Sequence, residues 1–300
     1  MFEDIYFDFP VPSFDLEPMK FVWRKFTIKQ KELAFFSKKL LHSLKYVELK
    51  GFWFGSEIDL PNVEVLNCSN TKITSLPSFP KVKRLDCSFN CLSFLPELPH
   101  VEILNCNNNQ LVLLPDFPKI KILHCNNNNI KALNKMDSLL ELKCNTNELI
   151  RLPDLNVREL ECMNNKLIEI GKLQEVTYLN CCNNFLLLLP EMPKLKELYC
   201  SYNSIFAFSN MPKLEFLNCN NNQLTTIPKL ENLKFLFCCW NEIVSLPDFP
   251  KLKKLICYRN QLKSLPEMPE VEMIDCSKNK ISKFSSYPNL KYLNMAENKP

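Results

Sequence analysis

Residues 101–118 read VEILNCNNNQLVLLPDFP, and segments of the same pattern recur along most of the chain. The cysteine of this segment, Cys106, belongs to a series whose members lie 19 residues apart, except for one step of 18 between Cys144 and Cys162. Spacing this regular indicates one supersecondary unit stacked on copies of itself, as in a solenoid. We call the members ladder cysteines and count positions in each unit from them: Cys68, Cys87, Cys106, Cys125, Cys144, Cys162, Cys181, Cys200, Cys219, Cys238, Cys257 and Cys276.

The alternation around each ladder cysteine predicts a short β-strand. Leu104 and Cys106, at positions −2 and 0, are expected to point into the core, while Asn105 between them points outward. Position +3 is asparagine in every unit from Cys87 onward, and only Thr71 in the Cys68 unit departs. An inward amide has two donors and an acceptor, so we expect it to bond backbone groups of its own coil and the next. Asn183, beside the inward Asn184, is expected to face solvent.

Two prolines mark the far side of the unit. Position +9 is proline in eight of the twelve units from Cys68 to Cys276, and so is position +12, as in Pro115 and Pro118. Prolines three residues apart remove backbone donors and push the preceding residues into extended geometry. The convex side is therefore predicted to be extended or polyproline-like. The 18-residue step lacks one residue between Leu152 and Val157, after which the strand pattern resumes.

The motif L-x-x-L-x-C-x-x-N-x-L resembles the leucine-rich repeat, with cysteine in place of the usual third leucine. The short 19-residue form with two prolines is similar to repeats of secreted bacterial effectors and of certain large DNA virus proteins. The resemblance covers residues 44–300, about fourteen units. It implies a solenoid of the α/β horseshoe class, with a parallel β-sheet on the concave face. Some such effectors carry a ubiquitin-ligase domain after the repeats; none follows here, so that activity is not expected.

Residues 1–43 do not repeat and are rich in aromatic side chains. The spacing of Leu33, Phe36 and Leu40 predicts a helix over Thr27–Ser43, in a partly helical cap that covers the first coil. The alternative is an adaptor, in which residues 1–43 recruit other machinery, for example a ubiquitin ligase, and the repeats select the target. The last coil has no matching cap, so its strand edge is either protected by charged tail residues or joins another copy end to end.

The composition points to a reducing compartment. The ladder cysteines occupy core positions, where a free thiol behaves as a small apolar group, so we expect them to be reduced. Only Cys182, Cys239 and Cys91 are predicted to be accessible. The N-terminus lacks the pattern of a signal peptide, and no stretch is long enough to span a membrane. We therefore predict a cytoplasmic protein, in the host cytosol if it derives from a virus or pathogen, with no membrane partner.

No catalytic, metal or cofactor motif is recognisable. The three histidines lack ligand partners at short spacing, and no C-x-x-C pair occurs. With glycine only at positions 51, 55 and 171, a glycine-rich phosphate loop is excluded. A net charge of +4 is too small to indicate nucleic acid, and the lysines beside the second proline, such as Lys119, are interpreted as a solvated edge. The chain is predicted to be non-enzymatic.

The outward strand positions carry the candidate site, because in leucine-rich repeats the concave face is the usual binding surface. Acidic residues cluster first, and aromatic residues follow along the array: Glu141, Glu159, Glu161, Glu197, Tyr178, Tyr199, Phe216, Phe235, Phe237 and Tyr258. Contiguous exposed aromatic residues are typical of a binding surface; alternatively, they stack on one another to support the sheet. We predict a protein-interaction module that binds a protein or peptide, with a structural or storage role as a third hypothesis.

Overall fold

The computed structural model describes residues 26–29, 38–51, 59–282, 284 and 286–298. In this part of the chain, fifteen strands form one parallel sheet in which neighbours in space follow one another in sequence. Two further strands, β8 and β10, pair with each other on the opposite side of two coils. Each ladder cysteine directly follows a strand of the large sheet, which confirms the predicted leucine-rich-repeat solenoid.

The elements are short, and their bounds follow the 19-residue period. The first are β1 (Phe26–Lys29), α1 (Lys38–Ser43), β2 (Tyr46–Lys50), β3 (Val65–Asn67), β4 (Arg84–Asp86), β5 (Ile103–Asn105), β6 (Ile122–His124), β7 (Glu141–Lys143) and β8 (Arg151–Leu152). The rest are β9 (Glu159–Glu161), β10 (Glu169–Ile170), β11 (Tyr178–Asn180), β12 (Glu197–Tyr199), β13 (Phe216–Asn218), β14 (Phe235–Phe237), β15 (Lys254–Ile256), β16 (Met273–Asp275) and β17 (Tyr292–Asn294).

Identical positions of neighbouring units lie side by side. Leu85, Leu104 and Leu123 pair in register at the centres of β4, β5 and β6, and all three are buried. The ladder cysteines are fully buried and free, and none of the fifteen cysteines forms a disulfide. Burial raises the pKa of these thiols, that of Cys125 to about 12, because a thiolate would lose its hydration. The cysteine series is thus a packing element of the core.

The amide at +3 satisfies buried backbone groups of two coils. Asn184 Nδ2 donates to the carbonyls of Cys162, Cys181 and Cys182 at 3.0, 3.1 and 3.2 Å, and Asn184 Oδ1 accepts from Leu167 N at 3.0 Å. The bridged coil is the preceding one, so the expected bond to the next coil is wrong. The reason is that each ladder carbonyl points forward, where the following asparagine meets it. Equivalent bonds recur at Asn109, Asn128, Asn147, Asn165, Asn222, Asn241 and Asn260.

A left-handed residue at +2 turns the chain off the sheet in every described coil, a constraint that sequence reasoning missed. Its φ lies between 53° and 58° from Asn70 to Glu297, and Gly51 at the same position has φ 82°. Asparagine tolerates this conformation better than most residues, whereas the β-branched Thr146 is strained there. Asn183 is exposed as expected, but its φ of 55° means that replacement by alanine is costly.

The second proline begins a turn that returns the chain to the sheet. The N–H of Ile120 donates to the Phe117 carbonyl at 3.3 Å around Pro118, and the same bond closes around Pro80 and Pro250. Proline suits this second turn position because its φ is preset. Apart from β8 and β10, the convex segments between residues 59 and 282 contain no helix or strand. The predicted extended convex side is therefore confirmed.

The 18-residue step draws two coils together. A Cβ atom at position 171 would lie 2.5 Å from the Pro153 carbonyl carbon and 2.6 Å from Asp154 N. Gly171 N donates to the Leu152 carbonyl at 3.0 Å, so the backbones are held in contact. Glycine replaces the proline that is usual at +9, because a side chain at this position would not fit between the shortened coil and its neighbour.

The two ends of the described chain differ from the interior. The expected helix over Thr27–Ser43 is wrong at its start, because β1 occupies Phe26–Lys29 and pairs in parallel with β2, while α1 covers Lys38–Ser43. Sheet pairing outweighs helical spacing here, since β1 supplies backbone partners to β2. The predicted cap and adaptor segments at residues 1–25 and 30–37 lie outside the described residues. At the other end, Leu293 of β17 is 39% exposed, although this position is buried in interior coils.

Replacement of Asn184 by alanine should destabilise the array by about 1–3 kcal/mol, because it leaves the Leu167 N–H and buried carbonyls without partners. Urea unfolding followed by circular dichroism measures the change. The matched control is Asn183→Gly, which keeps the left-handed turn, loses only an exposed bond to Asn164 and should cost under about 0.5 kcal/mol. Equal losses for both variants would contradict the assignment of the bridging amide.

Replacement of Gly171 by alanine should cost about 1–3 kcal/mol, since the added methyl group meets backbone atoms that cannot move aside. The thermal midpoint of unfolding reports the loss. Ser209→Ala, at the same position of another coil, should change it little. An unchanged midpoint for Gly171→Ala would show that the two coils are not in close contact.

Alkylation of the native protein should modify the exposed Cys91 first and the partly buried Cys182 more slowly. Cys239, predicted to be accessible, is only 2% exposed, because its thiol turns inward to the Ile256 carbonyl at 3.3 Å. For a pKa of about 12, as at Cys125, about one thiol in ten thousand is ionised at pH 8. Mass spectrometry should find all fifteen sites modified only after denaturation, and rapid native labelling of Cys125 would refute the register.

Candidate functional site

Five of the six predicted aromatic residues form one continuous zig-zag of rings on the concave face. Tyr178 and Phe216 project from position −3 of β11 and β13, and Tyr199 and Phe237 project from position −1 of β12 and β14. Successive ring centroids lie 5.7, 4.7 and 5.5 Å apart. Phe235 adjoins Phe216 at 6.2 Å. Alternation between the two rows gives each ring more room than a single row at the strand spacing of about 4.8 Å would leave.

The rings of this zig-zag are half-buried by one another and present their remaining surface to solvent. Phe235 is the most open, with 37% of its surface exposed, and the other four are intermediate. The sixth aromatic residue, Tyr258, follows the ladder cysteine at position +1, and no ring contact with the zig-zag is found for it in the described chain. The contacts between the rings are consistent with a role in supporting the sheet. The ring surface that stays exposed is consistent with a binding surface.

Two of the four predicted acidic residues, Glu141 and Glu161, have polar partners within the protein. Glu141 Oε1 lies 2.8 Å from His124 Nε2 and 3.5 Å from Lys143 Nζ. Lys143 Nζ also lies 3.2 Å from Glu161 Oε1, and Glu161 Oε2 accepts a hydrogen bond from Asn145 Nδ2 at 2.8 Å. These carboxylates therefore carry less unbalanced charge than the sequence suggested. The signal was present in the sequence as His124 and Lys143 at outward positions of the neighbouring coils.

Glu159 and Glu197 remain exposed and flank the first ring of the zig-zag. Both pair in register with Tyr178, one from β9 and the other from β12. Neither forms an ion pair with another residue of the described chain. Burial raises the pKa of the Tyr178 phenol, and the charges of Glu161, Tyr199 and Glu197 raise it further. Tyr178 is thus a neutral ring between two carboxylates.

Position −4 carries alternating charges along one edge of the concave face, a feature that sequence reasoning missed. Glu64 bridges Lys45 and Lys83 at 2.9 Å each, and Glu102, Glu215 and Glu272 pair with the lysine of the following coil at 2.6–2.7 Å. Hydrogen bonds from the lysines lower the pKa of these carboxyls. Comparing residues one period apart would have shown the alternation. The lysine edge beside the second proline also engages its neighbours, with Lys194 bound to Glu175 at 2.6 Å.

Two cations lie over aromatic rings at the far end of the face. Lys254 Nζ is 5.2 Å from the Phe237 centroid, and the Arg259 guanidinium is 3.8 Å from that of Trp240. Beside Phe235 the surface forms a shallow cavity of about 280 Å³. Its lining combines apolar rings with lysines and one carboxylate: Phe235, Lys253, Lys254, Glu272, Met273, Lys291 and Tyr292.

A second exposed apolar stripe runs along the convex flank at position +6. Ile150, Ile168, Leu187 and Phe206 come from four consecutive coils, and each is about half exposed. Position +6 is apolar only in some coils, so the repeat pattern does not distinguish it as a surface feature. Leu187 offers a control position for experiments on the concave face.

The described residues were also compared with the requirements of a metal site and of a membrane-spanning helix. No cluster of three or more histidine, cysteine, aspartate or glutamate side chains with the geometry of a metal site occurs among them. The helix that the structure describes is too short to cross a lipid bilayer, and no longer one is found in those ranges.

Comparison with known proteins agrees with the observed architecture. A family model described as leucine-rich repeats, in two copies, matches residues 61–100 and 193–232. The structure is similar to YopM from Yersinia enterocolitica WA-314, with a TM-score of 0.73 and 26% identity over 85% of this chain and 64% of that one. The present chain therefore spans less than two thirds of that relative. A search of curated protein sequences gave no match.

Two further solved structures share the fold. YopM from Yersinia pestis, a leucine-rich effector protein, has a TM-score of 0.62 and 30% identity, covering 78% of this chain and 77% of that one. The functional domain of InlJ from Listeria monocytogenes includes a cysteine ladder and has a TM-score of 0.62. Its 23% identity, over 78% of this chain and 63% of that one, shows likeness of fold alone.

Proposed function

Because this chain belongs to the leucine-rich repeat family, whose fold supports protein–protein interaction, we propose that it is a non-enzymatic module whose concave face binds a protein or peptide. The observation that carries the proposal is the ring zig-zag from Tyr178 to Phe237. Contiguous aromatic surface left open to solvent is the kind of surface that supplies binding energy in protein interfaces.

The scaffold favours binding because its surface is ordered before the partner arrives. Each strand is bonded to its neighbours in register, and the turns from Cys87 onward are held by inward amides such as Asn184. Little backbone entropy is then lost on association, so more of the contact energy appears as affinity. The mutual contacts of the rings likewise limit the rotamers that binding has to select.

Charge supplies the specificity in this proposal. Within the described chain, Glu159 and Glu197 are the members of the acidic cluster that form no ion pair, whereas Glu141 and Glu161 contact His124 and Lys143. Unpaired carboxylates at the rim of an apolar surface steer a cationic partner and disfavour an anionic one. Fifteen free cysteines support a reducing compartment as the site of action, such as the cytosol of a host cell.

Phe237→Ala should weaken binding of the native partner by about 2 kcal/mol or more, roughly thirtyfold in Kd, because its partly exposed ring belongs to the zig-zag and packs on Phe216. Phe235→Ala should act in the same direction. Affinity capture with cross-linking identifies the partner, and titration calorimetry with the purified partner then gives the Kd of each variant.

The matched control is Leu187→Ala, which removes an apolar side chain that is more exposed than either phenylalanine and lies outside the concave face. Its Kd should stay within about twofold of the unmodified protein, in keeping with a residue outside the interface. If Phe237→Ala lowers the melting temperature sharply and leaves the Kd unchanged, the rings support the sheet and the concave-face proposal is wrong.

A further inference from the structure

We propose that the partner segment is bipolar, with a cationic side chain at the Glu159–Glu197 end, an apolar centre over the ring zig-zag, and a carboxylate at the Lys253–Lys254 end. This inference rests on the proposed function, since it specifies the chemistry of a ligand for the same face. Two observations support it. Glu159, Glu197, Lys253 and Lys254 form no ion pair with other described residues, and the acidic pair precedes the basic pair along the solenoid.

The cationic side chain is placed by three residues in one row. Glu159, Tyr178 and Glu197 pair in register on consecutive strands of the sheet, so the two carboxylates stand about 10 Å apart with a neutral ring between them. A guanidinium or ammonium group over that ring makes a cation–π contact and reaches a carboxylate on either side. The neighbouring Glu141 and Glu161 are less suitable, because His124 and Lys143 already occupy them.

The carboxylate is placed three strands beyond the last acidic residue. Lys254 extends over Phe237, and the adjacent Lys253 lines the shallow cavity beside Phe235. Neither lysine forms an ion pair within the ranges that the structure describes. Glu272, the carboxylate nearest to Lys253 in this cavity, hydrogen-bonds Lys291 instead, at 2.6 Å. Asp275 is likewise engaged, accepting bonds from Ser277 and Asn294.

The distance between the two ends sets the length of the segment. Four strand steps separate Tyr178 in β11, where the cationic group lies, from β15, which corresponds to about 19 Å at a spacing of about 4.8 Å. An extended peptide advances about 3.3 Å per residue, so about six residues span the interval. An apolar centre of about three residues then lies over Tyr199, Phe216 and Phe237.

Single-stranded nucleic acid is the competing occupant, since stacked aromatic rings next to lysines also suit exposed bases and phosphates. The row of Glu159 and Glu197 argues against it. A phosphate chain running along the rings would pass these two exposed carboxylates, which form no ion pair with another described residue and would repel it. The face therefore favours a ligand that changes the sign of its charge along its length.

Synthetic nine-residue peptides test the proposal by fluorescence anisotropy with the full chain. Three share a leucine–tyrosine–leucine centre and carry three lysines and three glutamates at opposite ends, lysines at both ends, or glutamates at both ends. A fourth keeps the lysine and glutamate ends around a glycine–serine–glycine centre. At low salt, the bipolar apolar peptide should bind about tenfold tighter than each of the others, because they lose a favourable pairing or the apolar contact.

Charge-reversed variants then assign the two ends. Glu159→Lys combined with Glu197→Lys should make the peptide with two glutamate ends the tightest ligand. Lys253→Glu combined with Lys254→Glu should favour the peptide with two lysine ends. The control for net charge is Glu191→Lys with Glu267→Lys, exposed convex positions where the original preference should persist. Circular dichroism verifies that each variant remains folded, as expected for exposed charges.

Three results would overturn the bipolar ligand: equal binding of the three apolar-centred peptides, no binding of any peptide at millimolar concentration, or tighter binding of a single-stranded oligothymidine. Failure of this inference is separable from failure of the proposed function. If Phe237→Ala weakens binding of the native partner while the peptides show no charge preference, the concave-face interface stands and the bipolar ligand does not. If Phe237→Ala leaves the native partner's Kd unchanged, the concave face itself is not the interface.

Discussion

From Cys87 onward, each coil of this solenoid depends on one inward amide side chain. The side chain at +3 donates to the carbonyls of its own and the preceding ladder cysteine, and it accepts the backbone N–H at +5 of the preceding coil, as Asn184 does from Leu167. These backbone groups lie where the chain leaves the sheet and has no strand partner, so without the amide they would be buried and unpaired. The cysteine, leucine and proline positions repeat in register only because the amide hydrogen bonds close this turn in the same way in successive coils.

The same geometry gives the concave face its order. Parallel strands in register place each outward residue about one strand spacing from its counterpart, which brings charges and rings into rows. Like charges in a row repel, and the protein relieves part of this by alternating lysine and glutamate at −4 and by placing Lys143 between Glu141 and Glu161. Large rings crowd in one row, and the alternation of Tyr178, Tyr199, Phe216 and Phe237 between two rows accommodates them.

Predictions that depend only on a residue's position in the repeat agree with the structure. Some predictions that depend on contacts with the neighbouring coil do not. Burial of Cys125 and the extended path at Pro118 follow from position alone. The alternation of inward and outward positions predicts that Cys239 faces solvent. Its thiol instead donates to the carbonyl of Ile256 on the next coil and is buried. The sequence shows four carboxylates at outward positions with Lys143 among them, and which of the carboxylates are paired becomes definite only when the strands are in register.

By itself, the sequence determined the solenoid, the inward amide, the buried cysteines and the aromatic character of the concave face. Its 19-residue period specifies which positions repeat, and hydrophobicity specifies which of them leave water. The tertiary structure alone decided that Asn184 bridges backward, that position +2 is left-handed, and that Glu159 and Glu197 flank Tyr178 without an ion pair to any described residue. Those properties depend on carbonyl direction and on contacts between coils about 19 residues apart, which become definite only when the strands pair.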